Sequence, residues 1–125
     1  MADKKKILLI DDEIGFTNMM KLYLEKAGNY EVRTENMPFQ AVSAALEFKP
    51  DMIFLDVIMP GLDGGDIAGA IKQDKDLKNV PLVFLTAIAQ DSSMDKIEGL
   101  IGGREFLPKP VSGEQILDCI KKHLD

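Results

Sequence analysis

Short apolar runs alternate along the chain with segments of helical period. Ile7–Ile10, Met52–Leu55 and Leu82–Leu85 are apolar on both faces, which is the pattern of central strands in a parallel sheet covered from both sides. The run Tyr30–Thr34 instead sets Tyr30, Val32 and Thr34 against Glu31, Arg33 and Glu35, and predicts a half-exposed edge strand. Glu105–Leu107 is short and flanked by polar residues, a second edge. Between these runs lie segments of helical period and length. Leu22, Tyr23 and Lys26 belong to the first, and Gly28-Asn29 is expected to stop it through a left-handed C-cap. Pro38 opens the second, with Ala41, Ala44, Ala45 and Phe48 on one face. Asp63-Gly64-Gly65-Asp66, Ser92-Ser93-Met94-Asp95 and Ser112-Gly113-Glu114-Gln115 open the third, fourth and fifth, each with capping-box spacing or a close relative of it.

Alternation of this kind predicts an α/β fold. It is a doubly wound, five-stranded parallel sheet of order 2-1-3-4-5 with helices on both faces, the three-layer flavodoxin-like arrangement. The order places both edge-like runs at edges. A chain of 125 residues with 46% hydrophobic and 29% charged residues suits one globular domain with a sizeable core. The net charge of −6 argues against a general nucleic-acid surface. No apolar run approaches the roughly 18 residues of a membrane-spanning helix, and the basic opening is followed by too few apolar residues for a secretory signal. The single Cys119 excludes an internal disulfide and any Cys-based zinc cluster. These features together lead us to expect a reducing, cytoplasmic setting without membrane or nucleic-acid contact.

Ligands of open α/β sheets bind beyond the carboxyl ends of the strands. Asp11 and Asp12 follow the first strand, Asp56 the third (in MIFLDVIMPG), Thr86 the fourth (in LVFLTA) and Lys109 the fifth (in FLPKPV). Nothing comparable is expected at the other end of the sheet. Two carboxylates about 4 Å apart repel by roughly 4 kcal/mol at an effective dielectric near 20. Three carboxylates with one lysine therefore call for a divalent cation, and all-oxygen ligation favours Mg²⁺ or Mn²⁺. A cation beside a carboxylate, a lysine and a threonine is equipped to handle phosphate, and Asp56 is placed to act as the nucleophile that carries it. Singly, each residue has a plainer reading: a helix cap, a solvated turn, a strand-end hydroxyl, a surface lysine. Their coincidence at four strand ends outweighs those readings.

Over essentially its whole length the sequence resembles the receiver domain of two-component response regulators. The resemblance rests on Asp11-Asp12, on Asp56 within D-V-I-M-P-G-L-D-G, on Thr86 followed by small Ala87, and on Lys109-Pro110. It implies that Asp56 accepts phosphate from a sensor histidine kinase or a histidine phosphotransfer protein. It further implies that Asp12 ligates Mg²⁺ directly, Asp11 mostly through water, and the backbone carbonyl of Ile58 as a further ligand. Thr86 and Lys109 would bind phosphoryl oxygens, with Lys109-Pro110 as a cis peptide. Thr86 and Phe106 would then reshape the helix 4–strand 5–helix 5 face for partners, although many members carry Tyr or His where Phe106 stands. Ile58 and Ile88 would flank the phosphoryl group and obstruct water, which leads us to expect slow dephosphorylation. On this reading residues 1–125 are a single receiver domain without an effector domain. It is no ordinary enzyme, though it assists its own phosphoryl transfer, and its output passes to a downstream protein or an effector domain outside the chain. A phosphorylation-independent interaction domain on the same scaffold is the alternative. A phosphatase of the haloacid-dehalogenase type is disfavoured because the second acid that family needs would fall at Ile58.

Overall fold

The computed structural model describes residues 3–59, 62–86 and 105–124. Five parallel strands form the sheet: β1 (Lys5–Ile10), β2 (Tyr30–Glu35), β3 (Met52–Asp56), β4 (Leu82–Thr86) and β5 (Phe106–Pro108). Their order is β2-β1-β3-β4-β5, so the order read from the apolar runs holds. The burial follows from it. Every residue of β3 and β4 is buried, whereas in the edge strand β2 only Val32 is. A two-by-two antiparallel hairpin, Ile58–Met59 with Leu62–Asp63, follows β3. Its strands are too short to leave a periodicity in the sequence.

Alternate side chains of the central strands enter opposite layers, as the period of two requires. Leu8, Ile10, Ile53, Leu55, Leu82 and Phe84 pack against Ala41, Ala44, Ala45 and Phe48 of α2 (Ala41–Phe48) and Ile67, Ala68 and Ile71 of α3 (Gly64–Gln73). Ile7, Leu9, Met52, Phe54, Val83 and Leu85 face the other way. They meet Met20 and Leu24 of α1 (Ile14–Ala27) and Ile116, Cys119 and Ile120 of the C-terminal helix (Gly113–Leu124). Full burial of each such aliphatic side chain contributes about 1.5–3 kcal/mol. Removing Ile53 or Phe54 would therefore open a void in one layer or the other. Among the described residues no helix is long and apolar enough to cross a membrane.

Helix ends follow the expected chemistry in part. Ser112 and Gln115 form a reciprocal capping box: Gln115 N donates to Ser112 Oγ at 3.1 Å and Ser112 N to Gln115 Oε1 at 2.8 Å. Pro38 opens a single 3₁₀ turn, Pro38–Gln40, that runs into α2. Gly28 corrects an expectation. Its backbone is extended (φ −169°), and it turns the chain straight into β2 without a left-handed residue. A Cβ at this position would lie 2.6 Å from the ring of Tyr30, so a larger residue would force that ring to move. The left-handed residue stands instead at Lys49 (φ 55°), whose N–H donates to Ala45 O before Pro50 redirects the chain. The fourth predicted helix, beginning near Ser92, lies outside the described residues, as do Ala87 and Ile88.

Candidate functional site

Three central strands ending at one level bring the polar residues together. Asp56 and Thr86 are the last residues of β3 and β4 rather than the first of the following loops. Asp56 pairs with Leu85 and Thr86 with Pro108, so the ladder extends one position beyond the apolar run. Backbone bonds then hold the residues just past the strands: Val57 N donates to Leu85 O at 2.9 Å and Lys109 N to Thr86 O at 2.7 Å. The Lys109–Pro110 peptide is cis. Asp11 continues β1 by donating its N–H to Glu35 O at 3.0 Å, and its Oδ1 accepts the Glu13 N–H at 2.9 Å, closing the turn into α1. Asn36 holds that turn from β2, donating to Asp11 O at 2.7 Å and to Thr17 Oγ1 at 2.9 Å.

One carboxylate oxygen from each of Asp11, Asp12 and Asp56 lies within 4.8 Å of the others. Asp11, Asp56 and Thr86 are buried, at 0%, 4% and 3% exposure. The ammonium of Lys109 stands 2.7 Å from Asp11 Oδ2, 2.7 Å from Glu13 Oε1 and 3.7 Å from Asp56 Oδ2. It also lies over the Phe16 ring, 5.0 Å from the centroid. One ammonium thus serves several acids, and the site keeps an excess of negative charge.

Burial and the neighbouring charges both act on the titration of these groups. Burial raises the Asp11 carboxyl above the ordinary carboxylate range, against the opposing pull of Lys109. Burial would lower Lys109, but its close contacts with the Asp11 and Glu13 carboxylates prevail and push its pKa up to about 12. Lysine is held charged, and the buried acid facing it is still undercompensated. Among the described residues Asp11 Oδ2 accepts no well-formed hydrogen bond; the contact with Lys109 is an ion pair of poor hydrogen-bond direction. A buried oxygen in that state, beside two further carboxylates, fits a hard divalent cation such as Mg²⁺ or Mn²⁺.

The structure therefore assembles Asp11, Asp12, Asp56, Thr86 and Lys109 at one rim. Phe106 is half-buried in β5, beside Phe84 and against the layer that contains Leu8 and Ile10. Ile58 lies in the hairpin after β3; its side chain, with Ala87 and Ile88, is outside the described residues. Glu13, Phe16 and Asn36 were not expected in the site. Glu13 was visible as the third acid of LLIDDE, but its partner lies 96 positions away in sequence. Asn36 gave no sequence signal, being one polar residue after an edge strand. At the other end of β5, where nothing comparable was expected, Glu105, Cys119 and His123 converge.

Comparison with known proteins agrees with this geometry. The family model of the response regulator receiver domain matches residues 7–121. Protein PilG of Pseudomonas aeruginosa is 32% identical over 124 residues, which cover 98% of this chain and 90% of PilG. The alkaline phosphatase synthesis transcriptional regulatory protein PhoP of Bacillus subtilis is 36% identical over 94% of this chain, which spans only 47% of PhoP. The chain is similarly about half the length of the phosphate regulon regulator PhoB of Pseudomonas aeruginosa. Among solved structures, the chemotaxis response regulator CheY4 of Vibrio cholerae superposes with a TM-score of 0.83 at 30% identity, covering 97% of this chain and 99% of CheY4. The chain belongs to the family of response regulator receiver domains, the signalling modules of two-component systems.

Proposed function

We propose that Asp56 is the phosphoacceptor and that Asp11, Asp12, Asp56 and the carbonyl of Ile58 hold Mg²⁺ beside it. The observation that carries this reading is the placement of Asp56. It ends the central strand nearly buried, with the Lys109 ammonium 3.7 Å away and two further acids within 4.8 Å. In the transfer, an Asp56 carboxylate oxygen forms a bond to phosphorus as the N–P bond of a donor phosphohistidine breaks. A divalent cation, when bound, spreads the charge of the phosphoryl oxygens. Lys109 turns from Glu13 and Asp11 to one phosphoryl oxygen, and the Thr86 hydroxyl donates to another.

Charge is redistributed as a result. Phosphorylation adds roughly −1.5 to −2 charges and three acceptor oxygens at one point, enough to draw Lys109 and Thr86 inward. Phe106 follows Thr86, and the surface around β5 and the C-terminal helix shifts toward the state that downstream partners prefer. Ile58 and Ile88, two positions after Asp56 and Thr86 in sequence, are apolar types that offer an attacking water no hydrogen bond, which leads us to expect slow loss of the acyl phosphate. Phosphate arrives from a cytoplasmic histidine kinase or phosphotransfer protein. A groove of about 410 Å³ beside the site, lined by Glu13, Phe16, Met19, Lys109, Pro110 and Val111, supports docking of such a donor close to Asp56.

Beryllofluoride, which mimics a phosphoryl group on a carboxylate, tests the reading. We expect Mg²⁺-dependent binding detected by fluorine NMR, lost in Asp56→Asn. Binding that persists in Asp56→Asn would place the acceptor elsewhere.

A further inference from the structure

We propose that Glu105, Cys119 and His123 form a binding site for a zinc-class divalent cation, at the end of β5 remote from the acidic rim. Cys119 and His123 are four residues apart on the C-terminal helix, so they share one face a turn apart. Glu105 reaches them from the start of β5, where its carbonyl accepts the Phe84 N–H at 3.0 Å and fixes the backbone. His123 Nε2 lies 2.7 Å from Glu105 Oε1, Cys119 Sγ lies 3.7 Å from Glu105 Oε2, and one ligand atom from each residue falls within 4.8 Å of the others.

Tetrahedral zinc, with bonds of about 2.3 Å to sulfur and about 2.0–2.2 Å to nitrogen or oxygen, needs ligand atoms roughly 3.3–3.6 Å apart. The three groups reach that spacing by shifts of at most about 1.5 Å, within the reach of side-chain rotation at Glu105 and His123. The donor set selects the ion. A thiolate with an imidazole and a carboxylate suits zinc or cobalt and discriminates against the hard cations that the acidic rim favours. Three protein ligands leave the fourth position to water. This is a mixed site, distinct from the multi-cysteine cluster that a single cysteine excludes.

Binding exchanges the S–H bond of Cys119 for a metal–sulfur bond and releases one proton to solvent, and His123 binds through an unprotonated ring nitrogen, any proton on that nitrogen moving to the other ring nitrogen or to solvent. Lys122, whose ammonium lies 3.2 Å from Glu105 Oε2, gives way readily because its side chain is 67% exposed. Loading the site would clamp the last turn of the C-terminal helix to the edge strand.

Cobalt titration of the reduced full chain tests this directly, because a thiolate-to-cobalt charge-transfer band arises only at sulfur and the acidic rim has none. One equivalent of Co²⁺ should produce the band in the wild type and in Asp12→Asn/Asp56→Asn, and none in Cys119→Ser. His123→Ala and Glu105→Gln should each raise the midpoint by about tenfold or more. Both positions lie at the surface, so these variants report even where Cys119→Ser fails to fold. Absence of the band at stoichiometric cobalt, or a midpoint that either substitution leaves unchanged, overturns the proposal.

Discussion

The Lys109 ammonium lies 2.7 Å from the fully buried Oδ2 of Asp11, tying the end of β5 to the end of β1 across the intervening strands. That contact makes Lys109 a structural counter-charge before any phosphoryl group arrives. Removing one partner of a buried pair is strongly destabilising because the other charge is left uncompensated. We therefore expect Lys109→Met to lower the stability of the metal-free protein by about 3 kcal/mol in urea unfolding, with Mg²⁺ restoring part of the loss. An unchanged denaturation midpoint would show that Asp11 does not depend on this ammonium.

Glu13 competes with an incoming phosphoryl group for the same lysine. Its carboxylate is 62% exposed, so the contact at 2.7 Å is worth little to folding. Glu13→Ala should leave stability nearly unchanged and tighten beryllofluoride binding by roughly two- to threefold, the equivalent of about 0.5 kcal/mol. Isothermal titration of both proteins at one Mg²⁺ concentration measures the difference. Weaker binding in the variant would mean that Glu13 assists the anion instead.

Stability around Glu105 should depend on pH in a defined sense. Burial raises its carboxyl, but hydrogen bonds from His123 and Lys122 outweigh that and hold it below the ordinary value of 4.5. A depressed native pKa means that the unfolded chain takes up the proton first. The contribution is therefore full above about pH 4.5 and is lost as pH falls through the depressed value. With the side chain one-third exposed, solvent screening limits its size. In chelator, Glu105→Gln should cost about 0.5–1 kcal/mol at pH 7, and that cost should shrink as pH falls below about 4.5. Chemical denaturation of both proteins across that range is the check, and a cost independent of pH would assign the effect to packing.

Ser112 should matter beyond its exposed position. Its hydroxyl accepts the Gln115 N–H, which the helix itself cannot satisfy. Ser112→Ala should lower stability by about 1 kcal/mol, and Ser112→Asp should recover most of it. Thermal unfolding of the pair separates capping from any other role of the residue.

The layers were legible because they rest on local pattern: three runs apolar on both faces, one alternating run, and Pro38, Ser112 and Gln115 at helix starts. The rim residues were legible because each stands at the end of a run, where topology alone brings them together. Contacts over long separations were not. Neither Glu13 with Lys109 nor Glu105 with His123 has any periodic signature, since both depend on side-chain reach across elements. Backbone detail failed for a related reason. Gly28 looks like a left-handed cap, yet its backbone is extended beside the ring of Tyr30, while the left-handed residue is Lys49. Asp56 and Thr86 looked like loop residues because polar types end an apolar run, but neighbouring strands carry the ladder through them.

The central claim is that Asp56 carries the phosphoryl group with the help of a divalent cation. Intact-mass spectrometry after incubation with acetyl phosphate, with and without Mg²⁺, measures it directly in wild type and Asp56→Asn. The expected result is a Mg²⁺-dependent gain of one phosphoryl group in the wild type and none in the variant. A gain that survives Asp56→Asn, or that is equal in chelator, would contradict the account.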